Sequence, residues 1–381
     1  MITTYWAPRF FDGESILHNV LFCLDDQKVV TLEAGKALTS IKLPPSDVQI
    51  LEGIVSPAFI DLQINGGGGV LFNNTPTPEG LNKISLAHQQ YGTYYYLPTV
   101  ITDDVAIMEQ AADAVANQIK SSDPQILGIH FEGPHISQPK KGVHPAQHVR
   151  GFSERERAIY QRMDLGIKKI TVAPESVSPD DLAFLRQNHW HVAIGHTNST
   201  AKQIKPLLDQ GASGFTHLFN AMSQITGREP GAVGVALSRK DAFAGIILDG
   251  HHVDYDNARL AWTIKNENKK THDQRLFLVS DAMATVGSND ARFNLFGTDI
   301  KVFEGKLTTE DGTLAGAHLT LLESVKNAVL ELDININDAL KMATTIPANF
   351  IHSELALPVR IGDQRQLIHL DDKRWQATLL S

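Results

Sequence analysis

The sequence predicts an α/β protein: a (β/α)8 TIM-like barrel with a small flanking β-sandwich domain built from both chain ends. Three observations carry this. From Ile54 onward, short apolar runs alternate with amphipathic stretches at spacings of roughly 20 to 45 residues, the rhythm of parallel strands joined by crossover helices. Eight such runs can be counted, the number that closes a barrel. At both ends of the chain this rhythm gives way to short β-prone pieces with no helical period.

Residues 1–53 contain TTYWAPRFF, NVLFCLDD, KVVTLEAG and DVQILEG, separated by polar turns. The candidate barrel strands are IVSPAFIDLQ, TYYYLPTV, ILGIHFE, KKITVAPE, HVAIGHT, GFTHLF, AFAGIILDG and RLFLVSDA. Among the crossover stretches, PEGLNKISLAHQQYG, DVAIMEQAADAVANQIK, DDLAFLRQN and STAKQIKPLLDQG have helical amphipathicity. After Asp281 the stretch NLFGTDIKVFEGKLTTEDGTLAGA reads as a hairpin. Two helices follow, LTLLESVKNAVLEL and NINDALKMATTIPANFI, and the tail RQLIHLDDKRWQATLLS returns to strands. The expected division is a small β-domain of residues 1–53 and 350–381 and a barrel of 54–349.

Composition narrows the function classes. The 381 residues are 42% hydrophobic and 20% charged, ordinary values for a globular chain. A formal charge of -9 shows no basic excess, which argues against a nucleic-acid partner. No run approaches a membrane span, and MITTYWAPRFFDGES has neither the basic nor the apolar region of a secretion signal. The single cysteine, Cys23, fits a reducing cytoplasm and is expected to be a small apolar core residue.

Four of the apolar runs end on a residue that binds a metal or moves a proton. They are ILGIHFEGPH with Glu132, HVAIGHTNST with His196, GFTHLFNAM with His217 and LFLVSDAM with Asp281. In a barrel, catalytic groups sit at those carboxyl ends. A Glu in so apolar a run is costly to bury unpaired and needs a cation, whether a metal or an Arg or Lys partner. His196 and His217 are 21 residues apart, one βα unit, so their rings can converge from adjacent strands. Two His and one Glu form an open three-ligand zinc set, and an Asp beside such a metal can shuttle a proton, with fourth ligand and helix cap as competing roles. The pattern indicates metal-assisted hydrolysis.

Taken together, PAFIDLQINGGGG, HFEGPHISQPKKGVHP, GHTNST, THLFNAMSQITGREPG, LDGHHVDY, LVSDAM and GTLAGA resemble the N-acetylglucosamine-6-phosphate deacetylases of the amidohydrolase superfamily. The matching segments run in order from Pro57 to Ala317. The resemblance implies hydrolysis of N-acetyl-D-glucosamine 6-phosphate to D-glucosamine 6-phosphate and acetate in cytoplasmic amino-sugar catabolism, by a homodimer or homotetramer. It implies one divalent metal per subunit, Zn²⁺ first and Fe²⁺, Co²⁺, Mn²⁺ or Ni²⁺ as alternatives, held by Glu132, His196 and His217. Asp281 is then the general base and acid, and His144 polarises the acetyl carbonyl, unless it is only a loop histidine in solvent. Two-metal amidohydrolases carry His-x-His at the end of the first strand, where this chain has Gln63 and Asn65. A neutral carboxamide is a poor zinc ligand, so a one-metal site is expected, with Gln63 holding water or substrate. Val143, Asn220, Ala221, Arg228, Asp249, Gly250, His251, His252, Leu314, Ala315 and Gly316 match substrate-contacting positions. Arg228 offers a fork suited to phosphate and His252 a second donor, either of them in its own or a neighbouring subunit, against the alternative of Arg228 as a surface pair with Glu229. Alternatives of substrate and class are the epimeric N-acetylgalactosamine 6-phosphate and an inactive sugar-phosphate-binding regulator.

Overall fold

The structure, a computed structural model, describes every residue except 1, 42, 43, 45, 46, 122, 123 and 311. Asp311, inside the expected hairpin stretch, therefore lies outside the described residues.

Eight parallel strands follow one another in chain order around a barrel. They span Phe59–Ile64, Thr93–Ile101, Gly128–Glu132, Ile167–Val172, Trp190–Ile194, Gly214–Phe215, Phe243–Ile246 and Leu276–Leu278. All but a few of their residues are buried, which explains why they read as unbroken apolar runs rather than alternating ones. The ring closes between last and first strand, where Asp281 N–H donates to the Gln63 carbonyl at 3.0 Å and Asn65 N–H to that of Ala282 at 2.9 Å. Closure thus fixes Gln63, Asn65 and Asp281 side by side.

The first candidate strand, IVSPAFIDLQ, is corrected by the structure. Ile54–Pro57 belongs to the small sheet, parallel to Ile2–Phe11 and antiparallel to Leu367–Asp371. The barrel strand starts beyond Pro57, which has no N–H to give and marks the change of partner.

Helices begin where the sequence supplies caps. Thr77 accepts from Gly80 N–H ahead of Pro78–Gln89, and Thr320 with Glu323 forms a capping box for Leu321–Leu330. The expected single helix over 335–351 is in fact two, Ile336–Ala343 and Thr345–Phe350. Pro347 would clash with the turn before it inside a continuous helix, and the break at Thr344 places it in a first turn instead.

Residues from both ends join in one seven-stranded sheet that encloses its own core around Tyr5, Phe10 and Phe22. Cys23 is not a core residue. Strand alternation turns Val20, Phe22 and Leu24 inward, leaving Cys23 half-buried on the other side with Sγ 3.4 Å from Thr4 Oγ1. The expected hairpin after Asp281 is a three-stranded meander of Arg292–Leu295, Thr298–Phe303 and Lys306–Thr308. Its apolar side, Leu295, Ile300 and Leu307, packs with Ile101 and Met283 at the barrel mouth.

Candidate active site

Glu132 is the last residue of the third strand, while His196, His217 and Asp281 lie just past the ends of the fifth, sixth and eighth. The latter three share an uncommon backbone, with φ of +45°, +32° and +51°. A left-handed residue costs roughly 1–2 kcal/mol in an L-chain. Here it ends each strand abruptly, and such strain concentrates at functional positions.

The side chains converge. Glu132 Oε1 lies 2.9 Å from His217 Nε2 and 3.2 Å from His196 Nε2, and the two Nε2 atoms are 3.0 Å apart. His196 Nδ1 donates to the Lys140 carbonyl at 2.8 Å, so in the neutral ring Nε2 presents a lone pair to its two neighbours. Lone pairs facing one another at this distance repel unless a proton or a cation lies between them. An ion with bonds of about 2.0–2.1 Å in tetrahedral geometry sets neighbouring ligands roughly 3.3 Å apart, close to the triangle observed. Among the described residues Glu132, His196 and His217 form the group able to hold a metal ion, so the donor set fits the expected group. Burial pushes the Glu132 carboxyl up, but hydrogen bonding to His196 and His217 prevails and holds it well below the usual carboxylate range. Burial pulls His217 down, and Glu132 more than offsets this, so its pKa is raised. Among the described residues the contact ion pairs of Glu132 are therefore with imidazoles, not with an Arg or Lys.

Asp281 Oδ1 accepts from Asn65 Nδ2 at 2.7 Å and from Gln63 Nε2 at 3.0 Å, and Gln63 Nε2 also reaches Glu132 Oε1 at 3.1 Å. The carboxamides thus orient the two carboxylates. Burial first, and the Glu132 charge second, raise the Asp281 pKa. His144 is buried, not a loop histidine in solvent, with its ring 4.4 Å from that of His196. Thr102 approaches its Nδ1 with the hydroxyl at 2.8 Å and the backbone N–H at 3.4 Å, which suits an acceptor Nδ1 and leaves Nε2–H as donor. Burial pulls His144 well below the ordinary histidine range and keeps it neutral. The His252 ring is fixed by Asp249, whose Oδ2 is 2.6 Å from Nδ1 and whose Oδ1 accepts the backbone N–H of His251 and His252.

These groups open on a cavity of about 400 Å³. Of the residues singled out in the sequence, Asn65, Glu132, Val143, His144, His196, His217, Asn220, Ala221, His252, Asp281, Leu314 and Gly316 line it. Others do not. Gln63 is fully buried behind the carboxylates, and Asp249 acts through His252. A side chain at Gly250 would strike the Tyr255 ring, so this glycine serves packing. His251 is exposed, and Ala315 is buried among Met283 and Leu307. Arg228 is exposed on the loop before Gly231–Ser238 and is not among the residues that line the cavity. Its neighbour Glu229 is engaged instead by the N–H groups of Ala201 and Gly231.

Several site residues escaped the sequence reading. Ile101, Ile247 and Met283 supply apolar wall, and Lys140 adds a basic residue from the same KKG segment as Val143. Glu175 ties down the segment that follows His196: it accepts from Thr197 Oγ1 at 2.6 Å, Asn198 N–H at 2.7 Å and Ser199 Oγ at 2.5 Å. Its position at the end of KKITVAPE, another strand terminus, was the available signal.

The profile of the amidohydrolase family matches residues 54–354. An N-acetylgalactosamine-6-phosphate deacetylase of Shewanella sp. (strain ANA-3) is 44% identical over 326 residues, 85% of this chain and 81% of its own. An N-acetylglucosamine-6-phosphate deacetylase of Haemophilus influenzae is 35% identical over 301 residues, 78% of this chain and 77% of its own. The crystal structure of N-acetylglucosamine-6-phosphate deacetylase from Pasteurella multocida superposes with a TM-score of 0.90 at 31% identity, covering 99% of this chain and 97% of that one. With a convergent acid–imidazole cluster at the mouth of a parallel barrel and a family match over most of its length, the chain belongs to the amidohydrolase family.

Proposed function

We propose that this chain hydrolyses the acetamide of an N-acetylhexosamine 6-phosphate, N-acetyl-D-glucosamine 6-phosphate as the first reading, releasing the amino-sugar phosphate and acetate. The observation that carries this is the meeting of Glu132, His196 and His217 with Asp281 on one cavity, in a chain 44% identical to a deacetylase of such a sugar phosphate. A divalent ion held by Glu132, His196 and His217, zinc on the strength of two imidazoles and one carboxylate, would activate water and polarise the acetyl carbonyl.

The chain's own groups account for the proton movements. Asp281, held by Asn65 and Gln63 and poised by burial, accepts a proton from the attacking water. It returns that proton to the nitrogen as the C–N bond breaks, so the amine leaves neutral and Asp281 is restored. His144, with Nε2–H as donor, stabilises negative charge on the carbonyl oxygen. His252, oriented by Asp249, faces the cavity as a donor for substrate oxygens. Arg228 is exposed and does not line the cavity of its own chain, which suits a role in phosphate binding at a second copy of the chain. We therefore favour a homodimer or a homotetramer built from dimers, in the reducing cytoplasm that a lone Cys23 suits.

One specific observation favours a second reading. The 44% identical relative is named for the galacto epimer, and the epimers differ at a single hydroxyl. Acetate release from both 6-phosphates and from unphosphorylated N-acetylglucosamine, with metal analysis alongside, tests the proposal. Release from a phosphate well above that from the free sugar is expected, and the faster epimer identifies the substrate. No release from either phosphate would defeat the assignment.

A further inference from the structure

Beneath the candidate ligands the barrel interior holds charge that the reaction scheme does not use. Lys169 lies on the fourth strand, in register with His130, while Thr171 is in register with Glu132. Residues two apart face the same side of a strand, so Lys169 sits one interior layer below Glu132. It is 2% exposed, and its ammonium reaches across the barrel to donate to the Leu62 carbonyl at 3.1 Å, between Asp61 and Gln63 on the first strand. Asp61 is wholly buried and accepts from the N–H of Gln63 at 3.0 Å and of Ser280 at 3.1 Å. The anions acting on Lys169 are Glu132, Asp61 and Asp281. His130 beside it is kept neutral, first by burial and then by the Lys169 charge.

A buried ammonium is costly unless anions compensate it, and buried carboxylates are costly unless cations compensate them. Burial raises Asp61 to about 7 and raises Asp281 as well, so the three carboxyls do not set three full negative charges against the one ammonium.

We propose that Lys169 is the internal counter-ion of the metal centre, a fixed charge that stabilises the inner carboxylates before an ion arrives. This rests on Glu132, His196 and His217 being the ligands. The consequence has a definite sign. The ammonium opposes the incoming cation, so its removal strengthens binding of that cation and destabilises the ion-free protein.

The test uses the full chain at neutral pH, stripped with a chelator and titrated with Zn²⁺ against a chromogenic competitor, with melting measured in both states. Lys169→Met and Lys169→Gln are both expected to bind Zn²⁺ about tenfold or more tightly than the unaltered chain, since a nearby like charge is removed. Both should lose more melting temperature stripped than loaded. Gln keeps a donor for the Leu62 carbonyl, so the pair separates lost charge from a lost hydrogen bond. Asp61→Asn removes an anion and should weaken Zn²⁺ binding. If neither Lys169 variant folds, Asp61→Asn decides alone: weaker binding supports the proposal and unchanged binding overturns it. Unchanged affinity in the Lys169 variants, or normal behaviour of Lys169→Gln beside a defective Lys169→Met, also overturns it. Glu132→Gln distinguishes the underlying reading, because retained Zn²⁺ affinity there means that the ligand set itself is wrong.

Discussion

Asp281 and the two carboxamides that hold it concentrate the chemistry of this site into a few atoms. Asp281→Asn preserves shape and leaves an oxygen for Asn65 and Gln63 to bind, but it removes the basic carboxylate. It should retain the metal and lower kcat by about 10²–10⁴-fold, the span usual for a lost general base. Metal content and kcat measured on the same preparation check this, and loss of the ion would mean that Asp281 is a ligand. Gln63 and Asn65 make a second expectation possible. Their neutral carboxamides, already committed to carboxylates through nitrogen, cannot offset the repulsion between two divalent ions about 3.5–4 Å apart. Elemental analysis of active protein should return one tightly bound ion per chain, and two would contradict the one-metal reading.

At the scale of elements, the positions of the ligands depend on what holds the strand ends. The segment after His196 leans on Glu175 through three hydrogen bonds, against a strained backbone at His196 itself. Partners that orient a ligand typically contribute 10–100-fold to metal affinity, so Glu175→Ala should weaken Zn²⁺ binding by about that factor. Excess Zn²⁺ should restore kcat with little change in KM, and a failure of rescue would point to a wider loss of structure. A helix end offers a contrasting case. Lys265 Nζ donates to the carbonyls of Ala236, Arg239 and Ala242 at 2.8, 2.6 and 2.7 Å, closing the C-terminus of Gly231–Ser238 far from the chemistry. Lys265→Met leaves those acceptors buried without a donor and should cost about 2–4 kcal/mol by urea unfolding of the loaded protein. Its kcat at a permissive temperature should be unaltered.

For the whole molecule, the question is what lies opposite Arg228. Its loop is exposed and it does not line the cavity, yet a doubly charged phosphate calls for a guanidinium fork. If Arg228 serves a neighbouring subunit, Arg228→Ala should raise KM for the 6-phosphate by an amount equivalent to about 2–3 kcal/mol and barely alter turnover of the unphosphorylated sugar. Mixing that variant with His196→Ala chains should restore activity, because one hybrid site would then have intact ligands and an intact Arg228. Sedimentation of a monomer, or equal losses on both substrates, would remove this role.

The barrel, its strand number and the four residues at its mouth were legible in the sequence because each depends on local physics. Buried parallel strands must be apolar throughout, helices need caps, and a polar residue that ends an apolar run is visible without knowing its neighbours. The transfer of Ile54–Pro57 to the small sheet was not legible. Nor were the break at Thr344 and the outward face of Cys23. Each is settled by a partner distant in sequence or by a steric conflict that appears only when elements pack. Lys169 shows the limit most clearly. Within KKITV it is an ordinary lysine on a strand, and only barrel closure carries its ammonium to Leu62, 107 residues away in the chain, within the field of carboxylates from three parts of the barrel. Sequence determined which residues end the strands, because periodicity and composition act along the chain. Tertiary structure alone decided which charges share the interior, because electrostatics acts through space.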